Sequence, residues 1–322
     1  MPLITRFAPS PTGYLHLGHA YSALLAYETA RAEEGRFLLR IEDIDPVRCK
    51  PEFAQAVLED LRWLGLAWEE PVRRQSEHLE DYAAALAKLR KMGLVYPCFC
   101  TRREIENEVM ASAAAPRLAL QGPDGPVYPG TCRNLDPEQR AQRLRRDHAA
   151  NWRLDVAKAL ERTGPLYWND RAAGRVAAAA QDFGDVVLAR KDVPTSYHLS
   201  VTVDDHRQHV TLVTRGKDLF RATDIHRLLQ ALLGYETPDY HHHALLTDAT
   251  GRRLAKRDGD VTLRALRASG KTAVEVREMV ARGRRGARPR TTPIASTTSD
   301  SPAAPQPANQ WSLGSTPARR SR

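Results

Sequence analysis

Apolar residues at Ala20, Leu24, Leu25, Tyr27 and Ala30 recur every three to four positions, which predicts a helix that stops near Gly35. A short apolar run before it ends in a turn rich in Pro and Gly, residues 8–13, and reads as a strand. After the helix, Arg36-Phe37-Leu38-Leu39-Arg40-Ile41 reads as a second, buried strand, closed by the acidic turn Glu42-Asp43-Ile44-Asp45-Pro46. Strand, crossover helix and strand within about forty residues make one βαβ unit, and open α/β sheets place ligand contacts at the carboxyl ends of such strands.

Helical patterns follow at residues 51–64 and 77–92, the second stopped by Gly93. Residues 98–150 differ in character and read as an insertion. A polar helix starts at Thr101, an Ala/Pro/Gly-rich loop crosses 111–130, and an Arg-rich helix follows Cys132. Strand character returns at 151–156 and again at 185–190. A helix is expected over 194–203, a strand and turn over 209–216, and an amphipathic helix over 222–233 closed by Gly234. These elements divide the chain into a first catalytic half at 1–97, the insertion at 98–150, a second half at 151–258 and a short helical segment at 259–282. Beyond 283, Pro, Ser, Thr and Ala dominate and a disordered tail is expected.

The chain has 322 residues, 42% hydrophobic and 27% charged, which suits one large α/β domain or two modest ones. No apolar run approaches the ~20 residues of a membrane span, and the start lacks a secretory pattern, so a cytoplasmic location is expected. The net charge of +9 suggests a nucleic-acid partner until its distribution is considered. From residue 283 onward seven arginines face only Asp300, so +6 of the +9 belongs to the tail and +3 to everything before it. Bulk charge therefore establishes no RNA binding.

Three of the four cysteines, Cys98, Cys100 and Cys132, share the insertion, which favours metal over disulfide in a reducing compartment. Zinc wants four ligands, and spacing leaves the fourth open among Tyr128, His148 and water. Its role there would be structural, clamping a long insertion that lacks its own core. Cys49 reads as a lone thiol.

At the first strand–turn–helix, His16 and His19 flank Gly18 where unpaired helix N–H groups and the positive dipole end attract phosphate. Glu42, at the second strand end, is suited to an ammonium group, and Arg6 to a carboxylate. A second cationic loop, Gly251-Arg252-Arg253-Leu254-Ala255-Lys256-Arg257, is suited to reaching over a bound triphosphate.

The phrase Arg6-Phe7-Ala8-Pro9-Ser10-Pro11-Thr12-Gly13 running into His16-Leu17-Gly18-His19 resembles the first signature of class I aminoacyl-tRNA synthetases of the glutamyl/glutaminyl branch. Arg253–Arg257 resembles the second, lysine-bearing signature, with Arg253 in place of its first lysine and Ala255 in place of its serine. The resemblance implies a Rossmann-type parallel sheet that binds ATP with Mg²⁺. His16, Gly18, His19 and Lys256 would contact the nucleotide, with His16, His19 and Lys256 serving catalysis. It implies L-glutamate contacts from Arg6, Phe7, Ala8, Pro9, Ser10, Glu42, Tyr197 and Arg215, and it points to Tyr128 as the fourth zinc ligand. Tyr197 is matched through Ser196-Tyr197-His198-Leu199 and Val203-Asp204-Asp205, and Arg215 through Arg215-Gly216-Lys217-Asp218.

Glutamyl-tRNA synthetases continue into a large helical anticodon-binding region, whereas about twenty-five helical residues are expected here after residue 258. With the cysteine insertion, that looks like the glutamyl-queuosine tRNA(Asp) synthetase family, in which no anticodon-binding domain is expected. The implied partner is then tRNA(Asp) bearing queuosine, with no membrane, and a monomer is expected. The competing expectations are a minimal glutamyl-tRNA synthetase that charges the 3′ end and a weakened tRNA-binding paralogue.

Overall fold

The structure, a computed structural model, describes residues 2–113, 121–147, 149–246 and 261–286. In chain order the first elements are β1 (Ile4–Phe7), α1 (Leu17–Ala32), β2 (Arg36–Ile41), α2 (Pro51–Trp63), β3 (Glu69–Arg74), α3 (Leu79–Lys91) and β4 (Val95–Cys98). The insertion contributes α4 (Arg102–Ala113), the short hairpin β5 (Gln121–Gly122) and β6 (Gly125–Pro126), and α5 (Pro137–Asp147). Then come β7 (Asn151–Leu154), α6 (Val156–Thr163), the hairpin β8 (Tyr167–Asp170) and β9 (Gly174–Ala177), and β10 (Val187–Ala189). The chain continues with α7 (Tyr197–Arg207), β11 (Leu212–Gly216), α8 (Ala222–Leu233), β12 (Asp239–His243), α9 (Leu263–Ala268) and α10 (Ala273–Gly286).

The α/β expectation holds, and the parallel strands lie in two sheets. One has the order β1-β2-β3, all parallel, with Ile4 opposite Arg36 and Phe7 opposite Leu39. The other has the order β11-β12-β8-β9, parallel except for the β8–β9 hairpin. They meet at β1 and β11, where Thr211 N donates to Ile4 O at 3.0 Å and Ile4 N donates to Thr211 Oγ1 at 2.8 Å. The strands predicted around 151–156 and 185–190 are separate from this: β4, β7 and β10 form an antiparallel sheet of their own, ordered β10-β7-β4.

Most predicted elements form, with boundaries moved for identifiable reasons. Helix α1 buries the small residues Ala20, Ala23, Ala26 and Ala30 together with Leu24 and Leu25, so it lies close against the strands. Helix α7 starts at Tyr197 rather than 194 because Ser196 caps it and Pro194 stays outside. It also runs on to Arg207, through two acids that the pattern placed at its end. Strand β11 starts only at Leu212 because His209 takes a left-handed turn, with φ of 53°. Helix α8 closes at Gly234 in the left-handed conformation, as expected.

One core fills the space among α1, α2, β1, β2, α9 and α10, and another lies among α3, α6, α7, α8 and the antiparallel sheet. No helix among the described residues is long and apolar enough to cross a membrane. The whole cationic loop, with Arg253, Leu254, Ala255, Lys256 and Arg257, lies outside the described residues, as do His148, residues 114–120 of the Ala/Pro/Gly loop, and the tail from residue 287.

Candidate active site

The carboxyl ends of β1, β2, β11 and β12 open on one cleft of about 460 Å³. All eleven expected glutamate and nucleotide residues that are described line it: Arg6, Phe7, Ala8, Pro9, Ser10, His16, Gly18, His19, Glu42, Tyr197 and Arg215. They come together because parallel strands project their following turns to the same edge of the sheet.

The histidine corner is built by capping. His16 is the N-cap of α1, in extended conformation, and its Nδ1 accepts from Gly18 N at 3.0 Å. His19, three residues on, accepts at Nδ1 from His16 N at 3.2 Å, and the two rings lie 3.8 Å apart. Both Nδ1 atoms are thus acceptors, which places the remaining proton of each neutral ring on Nε2. Gly18 has a steric reason to be glycine, since a Cβ there would meet His16 Cε1 at 2.9 Å.

Beneath the cleft lies a buried charge network that sequence reasoning did not find. Arg6 sets its fork on Asp205, with Nε to Oδ1 at 3.0 Å and Nη2 to Oδ2 at 3.4 Å. Its Nη1 donates to Thr214 O at 3.3 Å. Arg6 therefore already has a carboxylate partner within the chain. Arg40, fully buried, donates to Asp205 at 2.8 Å, to Gln208 at 2.9 Å and to Glu42 at 3.1 Å. Burial opposes the charge on Arg40, but Asp205, Glu42 and Asp204 outweigh it and raise its pKa. Burial likewise raises the Glu42 carboxyl above the usual range, against the pull of Arg40 and Arg6. Asp204 is held by Arg73 at 2.7 Å, by Gln75 at 2.7 Å and by the Tyr82 hydroxyl. Helix α7 is thereby tied to β1, β2 and β3 at the points that present Arg6 and Glu42 to the cleft. The available signal was Val203-Asp204-Asp205 itself: two adjacent acids inside an apolar helix need partners.

Arg215, at the end of β11, is set differently. Its Nε donates to His242 Nε2 at 3.0 Å, its Nη1 to the Tyr197 hydroxyl at 3.1 Å, and its Nη2 to Thr223 Oγ1 at 2.6 Å. His226 Nδ1 lies 3.3 Å from Nη1. His242 is held in turn by Asp170, at 2.8 Å from Nδ1, and burial together with Arg215 lowers its pKa to about 4. Tyr197 stays a phenol, its pKa raised by burial. Every hydrogen-bond partner of this buried cation among the described residues is neutral.

The insertion carries a second constellation. Tyr128 Oη lies 3.5 Å from both Cys98 Sγ and Cys100 Sγ, and Cys100 and Cys132 are 3.4 Å apart. A tetrahedron of zinc–sulfur bonds of about 2.3 Å has edges of roughly 3.8 Å, so four donors at this spacing fit zinc. The three thiols lie within 4.8 Å of one another, and hydrogen bonds from Cys100 and Cys132 hold the Cys98 thiol far below its ordinary value. Burial keeps the Tyr128 phenol protonated, a preference that a bound cation reverses. The guanidinium of Arg153 lies 4.0 Å from the centre of the Tyr128 ring. Cys49 stands apart, half-buried near Glu42 O.

Comparison with known proteins gives the family. The profile of the family described as "tRNA synthetases class I (E and Q), catalytic domain" matches residues 2–296. The Glutamyl-Q tRNA(Asp) synthetase of Rhodobacter capsulatus is 50% identical over 283 residues, covering 86% of this chain and 99% of that protein. The protein of the same name from Nocardia farcinica is 45% identical over 271 residues, covering 84% of this chain and 81% of its own. A crystal structure of a glutamate tRNA ligase from Elizabethkingia meningosepticum in complex with its amino acid superimposes with a TM-score of 0.68 at 29% identity. That likeness covers 81% of this chain, which spans only about half, 53%, of the ligase. A match along nearly its whole length, at half identity, means that this chain belongs to the glutamyl-Q tRNA(Asp) synthetases, within the class I synthetases of glutamate and glutamine.

Proposed function

We propose that this chain activates L-glutamate with ATP in the absence of tRNA and transfers the glutamyl group to queuosine in the anticodon of tRNA(Asp). The observation that carries the glutamate half is Arg215: a buried guanidinium on the cleft wall whose hydrogen-bond partners among the described residues are all neutral. A buried charge without a counter-charge is costly, and a substrate carboxylate supplies one. Glu42, in the same cleft, offers the opposite charge to an ammonium group. An amino acid with a side-chain carboxylate satisfies both ends.

In activation, the α-carboxylate of glutamate attacks the α-phosphorus of ATP, the bond to the bridging oxygen breaks, and pyrophosphate leaves. The enzyme's share is alignment and charge stabilisation. The Nε2–H groups assigned to His16 and His19 donate to phosphate oxygens, and the N-terminus of α1 adds its dipole. Lys256 neutralises the departing pyrophosphate. Mg²⁺ would accompany ATP and offset negative charge on its phosphates, with no residue of this chain assigned to hold it. In transfer, a hydroxyl of the cyclopentene-diol of queuosine attacks the acyl carbon, AMP leaves, and the hydroxyl proton goes to solvent or the leaving phosphate. In the insertion at 98–150, Cys98, Cys100, Tyr128 and Cys132 would hold zinc, and the ion's role would be structural. A cytoplasmic location is the reading that these substrates support.

Two measurements test the reading. Exchange of labelled pyrophosphate into ATP should require glutamate and proceed without tRNA. Labelled glutamate should then appear on tRNA(Asp) that carries queuosine. Label on tRNA lacking queuosine, or only at a 3′ end, would overturn the acceptor assignment.

A further inference from the structure

The ring around Arg215 continues to the surface in an order that fixes every proton. A guanidinium only donates, so His226 Nδ1, 3.3 Å from Arg215 Nη1, is the unprotonated nitrogen of its ring. The proton on His226 Nε2 then points at His198 Nδ1, 3.2 Å away, which must accept it. His198 in turn carries its proton on Nε2, 3.1 Å from Asp124 Oδ2. Asp124 lies in the turn between β5 and β6, so a residue of the insertion terminates a chain of hydrogen bonds that begins at the cleft. His242 acts the same way on the other side, donating to Asp170 and accepting from Arg215. Burial first, and then Arg215, hold His226 well below its ordinary pKa, which keeps it neutral.

We propose that His226, oriented by His198 and Asp124, is a specificity-determining positioning residue: it aims Arg215 by accepting a hydrogen bond while withholding a counter-charge, so that only a substrate carboxylate neutralises the cation. Glutamine, with a neutral amide, leaves Arg215 buried and unpaired. A carboxylate at position 226 would pair with Arg215 permanently and remove the reason to prefer glutamate. The inference rests on glutamate being the activated amino acid.

The test compares His226→Asn with His226→Asp, two side chains of nearly the same shape that differ in charge, in pyrophosphate exchange with L-glutamate and with L-glutamine. His226→Asn retains an acceptor near the Nδ1 position and should keep the preference for glutamate. His226→Asp should raise KM for glutamate about tenfold or more over His226→Asn with kcat far less affected, and should narrow the glutamate–glutamine ratio. Should His226→Asp not fold, Asp124→Lys provides the second arm on an exposed residue. A lysine would donate to His198 Nε2, reverse both imidazole tautomers and turn a donor toward Arg215, raising KM for glutamate about threefold or more. Equal KM values in the two His226 variants, or an unchanged KM in Asp124→Lys where His226→Asp is unfolded, would overturn the proposal. A wild-type protein without glutamate-dependent exchange would instead refute the functional reading.

Discussion

Glu42 and Arg215 present opposite charges to one cleft, yet they are supported in opposite ways. Glu42 leans on Arg40, a cation that belongs to a paired network, whereas Arg215 leans on neutral rings and hydroxyls. Replacing Glu42 by Gln removes the acceptor for an ammonium and leaves Arg40 with one carboxylate fewer. KM for glutamate in pyrophosphate exchange should rise about tenfold to a hundredfold, the value of one or two charge-assisted hydrogen bonds. The ionised form is the one that binds, and its pKa is raised, so glutamate affinity should fall as pH drops through the upper carboxylate range. An affinity that stays flat across that range would remove Glu42 from the ammonium site. Asp60 is a buried carboxyl with no place in the chemistry. It lies on α2, Oδ2 has no hydrogen-bond partner among the described residues, and burial raises its pKa to about 6 against the pull of Arg267 and Arg264. The folded protein then binds this proton more tightly than the unfolded chain does. Stability is lost as pH rises from the unfolded carboxylate value through about 6. Asp60→Asn should therefore stabilise the protein by about 1–3 kcal/mol at pH 7.5 and much less near pH 4, as read from urea midpoints at the two pH values.

Among the elements, the insertion depends least on apolar packing. Helix α5 buries no residue, and among the described residues the cluster around Cys98, Tyr128 and Cys132 adds Tyr96, Phe99, Cys100, Ile105 and Leu135. A bound metal ion would supply what such a core does not. Cys100→Ser should lower zinc per chain in elemental analysis and make residues 98–150 the first site of protease cleavage. Unchanged metal content would refute the ligand set. The strands that pattern reading missed share a physical cause. Strand β3 is a charged edge strand, Glu69-Glu70-Pro71-Val72-Arg73-Arg74, with no alternation for periodicity to detect. Strand β12, Asp239-Tyr240-His241-His242-His243, lies between β11 and β8 and buries polar rings where a parallel strand usually buries aliphatic ones. It stays folded because Asp170 receives His242 and Ser22 meets His243 at 2.8 Å. Those contacts come from residues 72 and 221 positions away, so no local window contains them.

Across the whole molecule, the imidazoles beneath the cleft set a common response to acid. His242, lowered to about 4, and His226, lowered well below 6.5, are neutral in the fold but take up protons in the unfolded chain from about pH 6.5 downward. Their contribution is present above that value and is lost as pH falls toward the folded pKa values. Unfolding free energy should drop between pH 6.5 and 4.5 with a slope of up to about 1.4 kcal/mol per pH unit for each ring. His242→Asn should flatten that slope, and a slope unchanged by it would assign the acid sensitivity elsewhere.

The sequence by itself determined the first strand, turn and helix, the histidine pair at that helix start, the Gly234 stop and the cysteine spacing. Each is a local matter, decided by side-chain size, backbone freedom or a partner within a few residues. It also marked Tyr197 and Arg215, through short phrases resembling those of a known family. Tertiary structure alone decided that these residues share one cleft, that Arg6 is already paired with Asp205, and that Arg215 is not paired with any carboxylate among the described residues. Charge pairing at such distances along the chain depends on which strand ends the sheet brings side by side, and that order is fixed by burial and register rather than by any neighbour in sequence.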